Sequence, residues 1–327
     1  MKQWAFVFGI VPFLCAYNSS AFSADVDARG CTVAALVQGG GAVDGQHFFE
    51  LTSPNPGDIN WWQGSLEGAL AYGCDGWNIQ ADGAFNGFWA SKDYPPAFIF
   101  PGGPGYFQSR TGHIGADAFW RNSEKGMFGV SASRIFTMTS SHFPTDPIFP
   151  NPDVFGGGLW RIGGMGEVYA NESLTLGGGV YYVDGYPRVD FQHLHGWEGD
   201  IYAKFYANPD FSLSLRGDVQ TTQADRLDAP IIAYTNGFAG SLQAEYLIPD
   251  TSLSVFAGGR FASRRQTYNN TADYVDINDK IAYVGLTYAF GSVIPKSLLQ
   301  RDRSGTVDNT SVMSEKLPDF NVSAIAQ

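Results

Sequence analysis

From Trp77 to Trp89 the chain alternates with a period of two. Trp77, Ile79, Ala81, Gly83, Phe85, Gly87 and Trp89 fall on one face, and Asn78, Gln80, Asp82, Ala84, Asn86 and Phe88 on the other. A period of two places successive side chains on opposite sides of a strand. The segment before it alternates likewise, with Trp62, Gly64, Leu66, Gly68, Leu70 and Tyr72 against Gln63, Ser65, Glu67, Ala69 and Ala71. Gly73-Cys74-Asp75-Gly76 between the two predicts a tight turn. The same pairing of alternating runs recurs from Gly112 to Ala132, Trp160 to Tyr182, Trp197 to Val219 and Phe238 to Phe261. A weaker, glycine-rich run opens the series at about Cys31 to Val43, and Ala282 to Phe290 closes it.

Connections between these runs alternate between short and long. Short turns are predicted near 73–76, 121–126, 170–173, 207–210 and 247–250, and long polar or aromatic loops near 44–60, 90–109, 137–157, 184–195, 221–236 and 262–279. About twelve strands of roughly 10 residues, with aromatics at their ends and all long loops on one side, predict an all-β transmembrane antiparallel barrel. A soluble sandwich buries one strand face as well, but has no reason to gather its long loops at one end.

Composition narrows the class further. Glycine numbers 40 of 327 residues, aromatics make up 15% and charged residues only 16%. Disorder needs high charge and few aromatics, and collagen needs a strict glycine period. The net charge of -12 argues against a nucleic-acid partner, which calls for a basic face. A wall facing lipid explains the low charge, because only lumen, loops and turns can hold ions.

The pattern over residues 31–290 resembles the porin-like outer-membrane β-barrels of Gram-negative bacteria. The resemblance implies short periplasmic turns, long extracellular loops, contact with outer-membrane lipid and assembly by the barrel-insertion machinery. Such barrels close on an amphipathic strand ending in Phe, as Ile281 to Phe290 does here. In the family that Phe is normally terminal, whereas Gly291 to Gln327 follow it in this chain. The expected organisation is a signal peptide over 1–23, a barrel over 24–290 and a flexible periplasmic tail over 291–327. Lys2 and the apolar stretch Trp4 to Ala16 carry the signal, cleaved after Ala21 or Ser23. Bulky Phe13-Leu14 ahead of Cys15 do not suit a lipoprotein signal.

Two cysteines remain after cleavage. Cys31 begins strand 1 and Cys74 ends strand 2 at the same barrel end, so the topology predicts a disulfide between them. The expected lumen-facing charges are Glu67, Asp82, Asp117, Glu167, Glu198, Asp200, Asp218 and Glu245, with Arg161, Lys204, Arg216 and Arg260, and His113 beside them. Their acidic excess suits cations in a water-filled pore. Mutual salt bridges filling the lumen are the competing reading, with Arg216 opposite Asp200 or Tyr202.

Nothing assembles a catalytic centre. His47, His142, His193 and His195 map to predicted loops, so His193-x-His195 is read as a short coincidence, and no metal site or cofactor is assigned. The clusters Tyr94 to Pro101 and Phe143 to Pro150 read as a loop cap or outer vestibule. The functional expectation is a passive channel for small hydrophilic solutes with a weak cation preference. The alternative is a non-conducting structural or adhesive barrel.

Overall fold

The computed structural model describes residues 31–50, 57–90, 106–142, 153–188, 192–226, 232–269, 274–291 and 297–304. The expected signal peptide and the clusters Tyr94 to Pro101 and Phe143 to Pro150 lie outside them. Twelve strands follow one another in the chain: β1 Thr32–Glu50, β2 Gly57–Cys74, β3 Trp77–Ala90, β4 Tyr106–Asn122, β5 Gly126–His142 and β6 Asp153–Asn171. Then come β7 Leu174–Arg188, β8 Gln192–Asn208, β9 Phe211–Arg226, β10 Ile232–Leu247, β11 Leu253–Tyr268 and β12 Tyr274–Gly291. Each strand pairs antiparallel with its sequence neighbours, and β1 pairs with β12, closing the barrel.

The alternation read from sequence sets which way each side chain points. Ile79, Ile114, Val130, Ile162, Val180, Ile201, Leu215, Val219 and Val284 all lie on the outer face and are well exposed, Ile201 by 74%. A soluble protein does not display such a continuous apolar belt. Aromatics bound it at both ends, with Trp62, Trp89, Trp160 and Trp197 on one side and Tyr72, Trp77, Phe128 and Tyr246 on the other. Trp77 and Trp89 bracket a rise of about 40 Å along β3, which a strand tilt near 40° reduces to about 30 Å, the thickness of a hydrocarbon core. Inside that belt neighbouring strands are joined by antiparallel ladders all the way round, as lipid requires. The protein is an outer-membrane β-barrel.

The periplasmic turns are tight. Asp75 and Gly76 both adopt positive φ, 52° and 84°, the signature of the two-residue hairpin turn that matches strand twist. Next to this turn Cys31 and Cys74 form a disulfide with a Cα–Cα distance of 4.3 Å, one residue beyond the Thr32–Gly73 pair.

Two expectations need correction. Strands reach well into the segments read as long loops: β8 begins at Gln192 and β9 runs to Arg226, so His193 and His195 are strand residues, as are His47 in β1 and His142 in β5. Above the membrane the outer face is wet and polar while the inner face buries Leu194, Thr222 and Ala224, so runs such as Thr221-Thr222-Gln223 stay paired without the apolar outer face that betrays a strand in lipid. The tail also differs. Leu298–Ser304 form a helix, α1, tied to the inner wall of the barrel's periplasmic mouth. Ser297 starts it by accepting the Gln300 N–H on its hydroxyl at 3.0 Å, while Arg301 and Arg303 suit its C-terminal end.

Candidate functional site: the lumen and its periplasmic stopper

All twelve charged residues expected to face inward lie on inward strand positions. What differs between them is the company they keep. Asp82 meets His113 at 2.5 Å with both side chains almost wholly enclosed, and Asp117 accepts a hydrogen bond from Gln80 Nε2 at 3.1 Å. Glu67 is buried on β2. Halfway round the wall Arg161 Nε donates to Glu198 at 2.9 Å. Arg216 stands opposite Tyr202 and reaches Asp200 at 3.2 Å and Asp218 at 2.9 Å. Arg260 and Arg264 complete this layer, and the space left among these side chains is a cavity of about 60 Å³, room for a few waters.

Sequence reading missed several inward charges. Arg264 and Asp279 form a 2.5 Å ion pair, and both lie in the segment 262–279 that was read as loop. Extending the β11 and β12 parity upward would have found them. Asp44 and Arg121 are also buried polar positions. A larger concavity, about 860 Å³, lies on the other side of the wall against Trp62, Leu215, Leu242, Phe261 and Ala282. Those five are lipid-facing positions.

Inward glycines seat inward aromatics. A Cβ on Gly177 would collide with the Tyr202 ring, one on Gly179 with Tyr181, and one on Gly258 with Tyr283. The rings therefore lie across the barrel on bare backbone. Tyr181 in turn lies under the Arg161 guanidinium, 3.3 Å from the ring centre. These glycines thus narrow the lumen, because each missing side chain admits a larger one, from the next strand at Gly177 and Gly258 and from the same strand at Gly179.

The periplasmic mouth holds the densest network. Arg301 of α1 clasps Glu245 of β10 with two nitrogens, at 2.8 and 3.0 Å. Ser254 of β11 donates to the same carboxylate at 2.6 Å. Asp302 receives Lys204 Nζ of β8 at 2.6 Å and the Tyr206 hydroxyl at 2.9 Å. Arg303 lies 4.8 Å from the Tyr169 ring centre and donates to Thr175 Oγ1 at 3.2 Å. Glu167, beside it, accepts the hydroxyls of Tyr169 and Tyr202. Beneath these charges Leu298 packs, fully buried, on Tyr206 and Leu247.

Electrostatics favours the docked helix. Burial by itself pushes the Asp302 carboxyl up, but Arg301 and Lys204 override it and hold the group well below the usual carboxylate range. Burial likewise pulls Arg301 down, and Asp302 with Glu245 more than reverses this. Both groups are therefore charged at neutral pH. A seven-residue helix with no amphipathic period leaves no mark in a sequence, which is why the docked helix was not anticipated.

No family model matches the chain, and no curated protein matches it in sequence. Solved structures resemble it in outline. The translocator domain of the autotransporter NalP from Neisseria meningitidis is 14% identical, with a TM-score of 0.48 over 85% of this chain and 95% of that one. An outer membrane channel from Pseudomonas putida F1 is 10% identical, with a TM-score of 0.47 over 80% and 95%. A FadL homologue from Pseudomonas aeruginosa is 8% identical, with a TM-score of 0.43 over 80% and 90%.

Proposed function

We propose that the protein is a gated outer-membrane channel for small hydrophilic solutes, stoppered at rest by α1. The observation that carries this reading is the character of the helix-to-wall contact. Among the described residues Leu298 and the partly buried Leu299 add the apolar packing, whereas Arg301, Asp302 and Arg303 meet Lys204, Glu245, Thr175 and the tyrosine hydroxyl. Each of those groups can be rehydrated, so withdrawal of α1 leaves a periplasmic mouth compatible with water. A permanent plug would gain more from an apolar seat.

Passage also requires the Arg161, Arg216 and Arg264 side chains to swing along the wall and the buried apolar cluster of Ile135, Leu159, Val183 and Leu194, nearer the extracellular end, to part. The acids of the lumen are largely matched by these arginines, so the cation preference suggested by an acidic lumen is small. A non-conducting structural or adhesive barrel is the second reading, favoured by the ion-paired layer at mid-height.

Planar bilayer recordings separate the two. The full chain should be closed most of the time, with brief stepwise openings. A chain ending at Gly291 should give long-lived steps, and Arg301→Ala an intermediate open time. Reversal potentials in a salt gradient should lie close to zero, displaced slightly towards the cation value. A folded, truncated barrel without conductance would leave the structural reading standing.

A further inference from the structure

We infer that the extracellular rim carries a divalent transition-metal site built by His193, His195 and Asp225. The site is independent of the lumen. His193 and His195 are two apart on β8, so they share a face, and that face is the outer one because the even residues of β8 point inward. Asp225 of β9 is the register partner of His193. A directly opposed pair has its Cβ atoms about 5 Å apart, within reach of one ion. One ligand atom from each of the three residues lies within 4.8 Å of the other two, and the two imidazoles face each other at 5.5 Å with 35° between their planes.

Zinc bonds of about 2.0–2.1 Å place tetrahedral ligands about 3.4 Å apart, so modest side-chain rotations close the site. Three further features fit a metal. His195 Nδ1 is enclosed and has no hydrogen-bond partner. Gln223 Nε2 donates to one oxygen of Asp225 at 2.8 Å, which holds the carboxylate in place and leaves its other oxygen to a metal. Asp184 of β7, register partner of His195, sets its carboxylate 3.3 Å from His193 Nε2 and is the nearest candidate for a fourth ligand.

Two imidazoles and a carboxylate select Zn²⁺, with Cu²⁺ and Ni²⁺ as competitors, over Mg²⁺ or Ca²⁺, which prefer all-oxygen sites. The Tyr182–Trp197 aromatic pair sits one row nearer the membrane, with ring centres 5.2 Å apart. A bound ion would therefore lie just above the lipid headgroups and tie the rims of β7, β8 and β9 together.

The test is a titration of the folded chain in detergent micelles with Zn²⁺ against a chromophoric chelator, repeated with Co²⁺ for its visible spectrum. The expected result is one ion per chain, and the d–d bands of a nitrogen- and oxygen-ligated Co²⁺. His195→Ala and Asp225→Asn should each weaken binding at least tenfold, while the double variant His47→Ala/His142→Ala leaves it unchanged. Heat-modifiable electrophoretic mobility shows that each variant is folded. Absence of stoichiometric binding, or binding indifferent to His193→Ala/His195→Ala, would overturn the assignment.

Discussion

Buried charges in this lumen come in matched sets, and the cost of breaking one set is the sharpest test at the residue scale. Arg264 and Asp279 are the clearest case, since both side chains are less than a tenth exposed. Arg264→Ala strands a carboxylate in a poorly hydrated layer and should cost about 3–5 kcal/mol. Arg264→Met/Asp279→Leu removes the pair together and should be near neutral. Urea unfolding in detergent, run as a double-mutant cycle, measures both. Glycine offers a second test at this scale. The three atoms nearest the added methyl of Gly177→Ala all belong to Tyr202, so the change should cost about 1–3 kcal/mol and be rescued by Tyr202→Leu. Gly285→Ala meets the Phe256 ring and also the Gly39 carbonyl, so Phe256→Leu should rescue it only in part. The inward charges between the girdles were readable from parity alone, because lipid enforces strict alternation there. Their pairing was not, since it depends on registers such as Tyr202 against Arg216 that sequence leaves open by two residues.

At the scale of elements, the number of strands and their order were legible, and their lengths were not. Alternation ends where lipid ends, so β8 and β9 continue as ladders through residues that look like loop. The β1–β2 hairpin carries a covalent link in addition to its ladder, with Cys31 and Cys74 separated by 43 residues. Replacing both with serine should lower stability by about 2–4 kcal/mol and leave the fold intact. In the unreduced folded chain neither cysteine should take up a thiol probe. Helix α1 is the opposite case. It has neither length nor period to reveal it, and its place is set by contacts to β6, β7, β8, β10 and β11 that no local pattern encodes.

For the whole molecule, the pH response of the mouth follows from Asp302. The Asp302 carboxyl is lower in the docked helix than in a free one, so its stabilisation is complete above the unfolded value near 3.9 and is lost as pH falls through the lower, docked value. Recordings from pH 8 down to about 4.5 should accordingly show an unchanged closed fraction, with openings lengthening only in stronger acid. The mouth also imposes an order in time. The groups that receive α1, Tyr169, Thr175, Lys204, Tyr206, Glu245 and Ser254, are spread over five strands between β6 and β11, and the helix itself follows β12 in the chain. Its seat does not exist until those strands stand side by side, and α1 cannot be present before the last strand has been made. Docking of α1 is thus a late event of assembly, and on the proposed reading a barrel that stalls with strands missing should leak.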